Sequence, residues 1–322
     1  MSSKLRLFFF SFTLLTLLTF PPILSACSVC GCGDPLATTE NSQPLAGSFR
    51  LSIESVYLTA SAQSDDLIST ESVRQVNLNT TLTYNPSDDW SLTAMLPVAE
   101  KYFNVTAPHG PDEGTPFGIG DVMLGARYYF LKDTDYTTKF TGLAASGGVY
   151  MPTGGTNFTS LVTGNNLDTH AQLGTGAWAF YGGLLYHRGW QDFSLVANVN
   201  YILRTRAGTT DPSSPVYQYE FGDSFTGGVQ AQWNLTEKLA ISLTAEGRYA
   251  WADTYLNPVF GPGIVNAPNT GGTVLNATPG IWWNLSGDST LYARVQIPFY
   301  TALNGVQTVD PTYIVGTQFL IH

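Results

Sequence analysis

The chain has 322 residues, of which 12% are charged, with 14 Lys and Arg against 24 Asp and Glu. That acidic balance excludes the basic footprint of a nucleic-acid binder, so no nucleic-acid partner is expected. Gly (32), Tyr (17) and Phe (18) are plentiful, a composition of strand and turn formers with no shift midway that would divide the chain into two soluble domains.

Residues 1–26 read as an export signal: Lys4 and Arg6, an apolar run from Leu7 to Phe20 broken only by Ser and Thr, then Pro21, Pro22 and small residues to Ala26. A membrane-spanning helix needs about 20 apolar residues, and Pro-Pro cuts this run short. The next segment, 27–46, opens inside "LSACSVCGCGDP", which holds every cysteine of the chain. Leu24, Ser25 and Ala26 before Cys27 resemble a lipobox, in which the cysteine becomes an acylated N-terminus. Cys30 and Cys32 are then left as a labile pair in an oxidising periplasm. The second reading makes Cys27, Cys30 and Cys32 an incomplete soft-ligand set for Cu(I) or Zn, and the third gives the cluster no role. Gly31 stands where a C-x-x-C-H haem site needs histidine. Apart from a metal at these cysteines, no cofactor is expected.

From residue 47 to 322 the dominant pattern is alternation. In "QVNLNTTLTY" Val76, Leu78, Leu82 and Tyr84 oppose Asn77, Asn79, Thr81 and Thr83; in "LAISLTAEGRYAW" Leu239, Ile241, Leu243 and Ala245 oppose Ser242, Thr244, Glu246 and Arg248. "DFSLVANVNYILR" and "LYARVQIPF" repeat the pattern. A soluble sandwich also alternates, but it would not bury Glu246 beside Arg248. Strands of about 10 residues with one apolar and one polar face suit a membrane barrel. Short links at 85–89, 132–135, 187–189, 234–238 and 286–288 interleave with long ones at roughly 62–71, 101–117, 152–169, 206–216, 253–273 and 300–310. The expected fold is therefore all-β: an antiparallel transmembrane β-barrel of about twelve strands, with short periplasmic turns and long extracellular loops. Tyr84, Trp90, Phe130, Trp190, Trp233 and Trp283 would form one aromatic girdle and Tyr57, Tyr102, Tyr150, Tyr249 and Trp251 the other. The sixth and tenth strands are the weakest, since "AQLGTGAWAFYGGLLY" alternates in either register and Pro279 interrupts "VLNATPGIWWNL".

The stretch "FGIGDVMLGARYYF", Phe117 to Phe130, resembles the G-x-GD-x-x-LG-x-[KR]-Y strand of a bacterial outer-membrane family described as transporters of the MetA pathway of phenol degradation. The resemblance in layout runs from about Gly47 to the C-terminus and implies an outer-membrane barrel that passes small molecules. The chain departs from many such barrels in ending on His322, where Phe is common. Gly118, Gly120 and Gly125 lack the spacing and the following helix of a nucleotide loop.

By strand parity Arg50, Arg127, Arg204, Arg248 and Arg294 face the lumen against Glu54, Asp121 and Glu246. Such residues either fill a small barrel with ion pairs or form a wall whose excess positive charge favours small anions. The other acidic groups gather in loops, Glu71 and Asp168 among them. His109 and His170 fall in or near outer loops, His187 at a short turn and His322 at the end, where solvated histidines are the default. No nucleophile motif adjoins them, so an enzyme is not expected; an outer-membrane lipid hydrolase is the least favoured reading. The main expectation is a bacterial outer-membrane channel or transporter-like barrel for an unnamed small-molecule solute, with outer-membrane lipid as its surroundings. A structural or metal-linked barrel lipoprotein without an open pore is the alternative. The Pro- and Gly-rich loops at 101–117 and 253–273 are the expected gates.

Overall fold

The computed structural model describes residues 44–63, 70–106, 111–135, 139–209, 214, 217–257 and 263–321. Twelve long antiparallel strands form the wall: β1 Phe49–Gln63, β2 Thr70–Tyr84, β3 Trp90–Thr106, β4 Val122–Asp135, β5 Lys139–Met151, β6 Ala179–Gly189, β7 Phe193–Arg204, β8 Ser224–Asn234, β9 Leu239–Ala250, β10 Gly272–Ser286, β11 Ser289–Leu303 and β12 Thr312–Ile321. Each pairs with its chain neighbours, and β1 also pairs with β12, from Phe49 opposite Ile321 to Tyr57 opposite Tyr313. The sheet therefore closes and leaves no edge of unpaired N–H and C=O groups to face lipid. Short strands at Asp112–Gly114 and Phe117–Ile119 extend the wall beside the upper part of β3, while β4 itself pairs with β3 only from Trp90 to Met95. Among the described residues, helix is confined to a 3-10 turn at Thr169–Ala171.

Period-two alternation decides which side chains face out. Along β2, Val76, Leu78 and Leu82 are exposed while Gln75, Asn77, Asn79, Thr81 and Thr83 are buried inside. Exposed leucines, isoleucines and valines continue around the wall, as Leu92, Leu184, Val229, Leu243, Ile281 and Val315. A water-soluble protein buries such a belt; here the apolar face is the outer one, as lipid requires. Aromatic pairs sit on the outer wall at its short-turn end: Phe49 stacks on Tyr84 with centroids 4.6 Å apart, Trp90 meets Tyr128 at 4.7 Å and Phe193 meets Trp233 at 4.9 Å. At the other end Tyr57 faces Tyr313 and Tyr249 meets Trp251.

Three local expectations are corrected. "KDTD" and "HRG" lie within β4 and β6, not in turns, and the second reversal falls at 190–192 instead. Polar residues at a strand end need only reach water: Lys132 donates to Asp88 O at 2.7 Å and pairs with Asp89, both in the neighbouring turn. Tyr150 does not join the girdle. It points inward, edge-on to Tyr181 at 5.9 Å. Pro279 sits within β10 with its ring outward, and the ladder to β11 is interrupted there, with a register shift at Leu275/Asn276.

Candidate functional site

The site is built by the connection 152–178 between β5 and β6, the third of the long loops. It folds back over the lumen as a lobe rather than projecting outward. Its neck is narrow: a Cβ added to Gly154 would lie 2.5 Å from the Gly174 backbone, so two strands of the loop cross where only glycine fits. Asp121 fastens both sides of this neck, accepting from Gly154 N at 2.9 Å with one oxygen and from Thr175 N and Oγ1 at 2.9 and 2.7 Å with the other. Thr153 Oγ1 donates to Gly120 O at 2.9 Å. The glycine-rich stretch before β4 is thus the anchorage of the lobe. Gly125 serves another purpose, since a Cβ there would fall 1.8 Å from the Tyr181 hydroxyl, and glycine lets that ring lie across the inner wall.

Inside the lobe, Leu167 and Ala171 are fully buried against Val73 and Phe103 of the wall. Gln172 holds the turn together, accepting from Phe158 N at 2.9 Å and donating to Leu167 O at 2.9 Å. Lys101, inward on β3 and buried, donates to His170 O at 3.0 Å and Gln172 O at 2.5 Å. An ammonium taken from water needs such partners, and these carbonyls supply them.

On its far side the lobe meets the fourth and fifth long loops, 205–223 and 251–271. His170 Nε2 lies 3.0 Å from Tyr219 Oη and 3.3 Å from Asp253 Oδ2, and Tyr219 donates to that same oxygen at 2.7 Å. Asp253 Oδ1 accepts from Gly222 N at 2.7 Å. Burial disfavours a charged imidazole, but the hydrogen bond to Asp253 and the negative charges of Asp168, Asp253 and Glu71 outweigh it, raising the His170 pKa. Burial likewise works against the Asp253 carboxylate, yet His170, Gly222 N–H and Tyr219 hold its pKa down. Burial and the adjacent Asp253 charge push the Tyr219 phenol up, so it remains a donor. Carboxylate and hydroxyl both engage one ring nitrogen, unlike a catalytic relay in which they occupy opposite nitrogens.

Beneath this roof is a cavity of about 240 Å³. One wall is an amide ladder, Gln75, Asn77 and Asn79; another is apolar, with Met95, Pro97, Ala179 and Ile202. Tyr150, His170, Phe221 and Asp253 also reach it. Towards the short turns the lumen is filled. Trp282 stacks on Tyr292 at 4.5 Å, and Arg294 lies over the Tyr292 ring at 5.3 Å. Glu54 accepts from Tyr292 Oη at 3.0 Å and from Arg294 at 2.6 Å. A second cluster of Tyr129, Phe140, Ala144, Leu185 and Val196 packs on the other side.

Of the lumen residues read from parity, Asp121, Arg204 and Arg248 border the cavity. Arg204 donates to Gly222 O at 2.6 Å and Ser224 Oγ at 3.1 Å, and Glu246 accepts from Thr278 and Gln296 at 2.7 and 2.8 Å. Glu54 and Arg294 form the buried pair of the floor, Arg127 is buried on β4 opposite Ser91 and Ser146, and Arg50 lies near the lower end of β1. Arg294 is thus neutralised by a carboxylate, while Arg204 is held by neutral acceptors. Expectations for the histidines are corrected: His170 is half-buried in the roof, and His187 is a buried, inward residue of β6, its ring edge-on to Phe140 at 5.1 Å. The segment 152–178 folds inward, and the expected gates also reach the cavity, 101–117 through Lys101 and 253–273 through Asp253 and Gly271. Cys27, Cys30, Cys32, His109 and His322 lie outside the described residues.

A closed twelve-strand barrel with an apolar outer face, a polar inner face and a loop folded into its mouth has the architecture of an outer-membrane channel. Among solved structures, the COG4313 outer membrane channel from Pseudomonas putida F1 is similar over 87% of this chain and 97% of its own, with a TM-score of 0.62 and 12% identity. The translocator domain of the autotransporter NalP from Neisseria meningitidis (TM-score 0.43, 11% identity, 85% and 88% covered) and the CymD monoaromatic hydrocarbon channel (0.41, 9%, 86% and 90%) follow. No family model matches the chain, and no curated protein sequence matches it. The likeness is one of fold.

Proposed function

We propose that this protein is a bacterial outer-membrane channel for small, amphipathic solutes, closed at rest by its third long loop. The observation that carries the reading is the lumen cavity of about 240 Å³ beneath an infolded lobe, with an amide ladder on one side and Met95, Pro97 and Ile202 on another. Such a lining gives hydrogen bonds to a polar head and dispersion contacts to an apolar body. The inner wall continues polar below it. Gln230, Asn198 and Thr244 turn in buried polar atoms that have no protein partner among the described residues. Asp121 and Asp253 offset two of the three cations Arg204, Arg248 and Lys101 around the cavity, which leaves the lining a small positive excess.

Planar-bilayer recording of the purified barrel tests this. A small conductance is expected, increasing when residues 156–172 are replaced by a short Gly-Ser link. A correctly folded barrel that conducts in neither form would replace the channel reading with a structural one.

A further inference from the structure

Three loops that leave different strand pairs are joined at one point over the cavity. The third loop brings His170, the fourth Tyr219 and the fifth Asp253, with His170 Nε2 at 3.0 Å from the phenol and 3.3 Å from the carboxylate. The imidazole is also edge-on to Tyr219 and Phe221, at 5.9 and 5.6 Å. His170 and Asp253 line the cavity, so this knot is part of its roof. The third loop has other attachments, through Lys101 and Asp121 to the barrel wall. At its base the fourth loop is also bonded to the third, Thr205 N to Trp178 O and Gly208 N to Gly176 O, each at 2.9 Å; beyond that base, side chains at the knot tie the fourth and fifth loops to the third.

We propose that the His170–Tyr219–Asp253 knot is a proton-operated latch on the outer mouth: a charged His170 holds the fourth and fifth loops to the third, and a neutral His170 lets them part and uncover the cavity. The latch deepens the channel reading and rests on it for its purpose, though not for its geometry.

The groups facing the ring fix the direction of the response. Asp253 comes from the fifth loop, Tyr219 from the fourth, Glu71 from β2, and Asp168 from the third loop itself, where it also accepts from His170 N at 2.8 Å. The nearby cation, Lys101, is spent on backbone carbonyls. Burial alone would favour a neutral ring, and the surrounding carboxylates reverse that, so the pKa of His170 rises above its ordinary 6.5. A group with a raised pKa lends its full stabilisation below the ordinary value and loses it as pH climbs through the raised one. Asp253 behaves oppositely: its pKa is depressed below 3.8, and its contribution disappears only as pH falls through that lower value. The latch is therefore tight at mildly acidic pH and slackens on the alkaline side of His170's titration.

Cavity access can be read without any flux. With Cys27, Cys30 and Cys32 changed to Ser, Thr226→Cys places one thiol on the cavity wall, to be labelled by an impermeant maleimide added from outside. Rates are normalised to the same thiol in the His170→Gln background, which cancels the thiol's own titration. Between about pH 6 and about pH 9 the normalised rate should rise about fivefold. Asp253→Asn should flatten the profile. Equal pH profiles with His170 intact and in the His170→Gln variant would overturn the latch; Ala250→Cys, also on the cavity wall, repeats the test if Thr226→Cys folds poorly. A pH-dependent label on a barrel that never conducts keeps the latch and removes the channel. Conductance with identical pH dependence in both backgrounds does the reverse.

Discussion

The two halves of the lumen are closed by different means. Towards the short turns the seal is made by side chains rooted in strands: Trp282, Tyr292, Arg294 and Glu54 on one side, Tyr129, Phe140 and Leu185 on the other. Towards the long loops the seal is made by loops, held by polar contacts at Asp121, Lys101 and the His170 knot and by the packing of Leu167 and Ala171 on Val73 and Phe103. Moving the first requires rotamer changes in a packed layer rooted in the wall; moving the second requires losing hydrogen bonds, each worth about 0.5–3 kcal/mol, and the small apolar contact of Leu167 and Ala171. On the channel reading proposed above, the roof is the part that would open and the floor the part that would select. A solute admitted to the cavity still meets the Trp282–Tyr292 layer, which accounts for the small conductance expected.

The largest effect should come from breaking the floor. Glu54→Ala leaves Arg294, 2% exposed, as a buried charge without its carboxylate, and destabilisation of about 3–5 kcal/mol is expected in urea unfolding from detergent. Glu54→Leu combined with Arg294→Met should recover most of that loss. A double variant as unstable as the single one would show that the layer is not an ion pair in an apolar frame.

The roof should answer differently. Lys101→Met keeps the apolar stem and removes both bonds to His170 O and Gln172 O, weakening lobe attachment by about 2–3 kcal/mol. Protease cleavage within residues 156–166 should accelerate while the heat-modified mobility of the barrel stays put. A common loss of both would merge the two halves into one cooperative unit. Gly125→Ala probes their boundary: overpacking against Tyr181 costs about 1–3 kcal/mol, and Tyr181→Phe should relieve part of it by removing the hydroxyl 1.8 Å from the new Cβ.

How far these halves can be read from the sequence differs for a physical reason. Parity alone turns Glu54, Glu246 and Arg294 inward, because a closed sheet gives each residue only two directions and lipid decides which is apolar. Strand ends are less legible: Lys132 and Arg188 look like turn residues, yet polar side chains there reach water from within a strand. The roof is not legible at all. Tyr219 is 49 positions from His170 and 34 from Asp253, and which loops fold inward depends on anchors such as Asp121 and Lys101 whose partners are distant backbone groups. The G-x-GD stretch stands out in the sequence only as a family resemblance, although Asp121 and the glycines around it hold the neck. Its chemistry becomes apparent only with the lobe in place.

The smallest expected effect separates charge from hydrogen bonding within the roof. Tyr219→Phe removes the donor to Asp253 at 2.7 Å and the contact to His170 at 3.0 Å, but leaves imidazole and carboxylate facing each other. A neutral hydroxyl bond contributes about 0.5–1.5 kcal/mol, so maleimide labelling of Thr226→Cys should rise severalfold at every pH. The shape of the pH profile should persist, because the titrating group and the carboxylates around it remain. Loss of the pH profile in Tyr219→Phe would place control in the phenol rather than in the charge of His170, and the roof would then be a hydrogen-bonded seal without a proton switch.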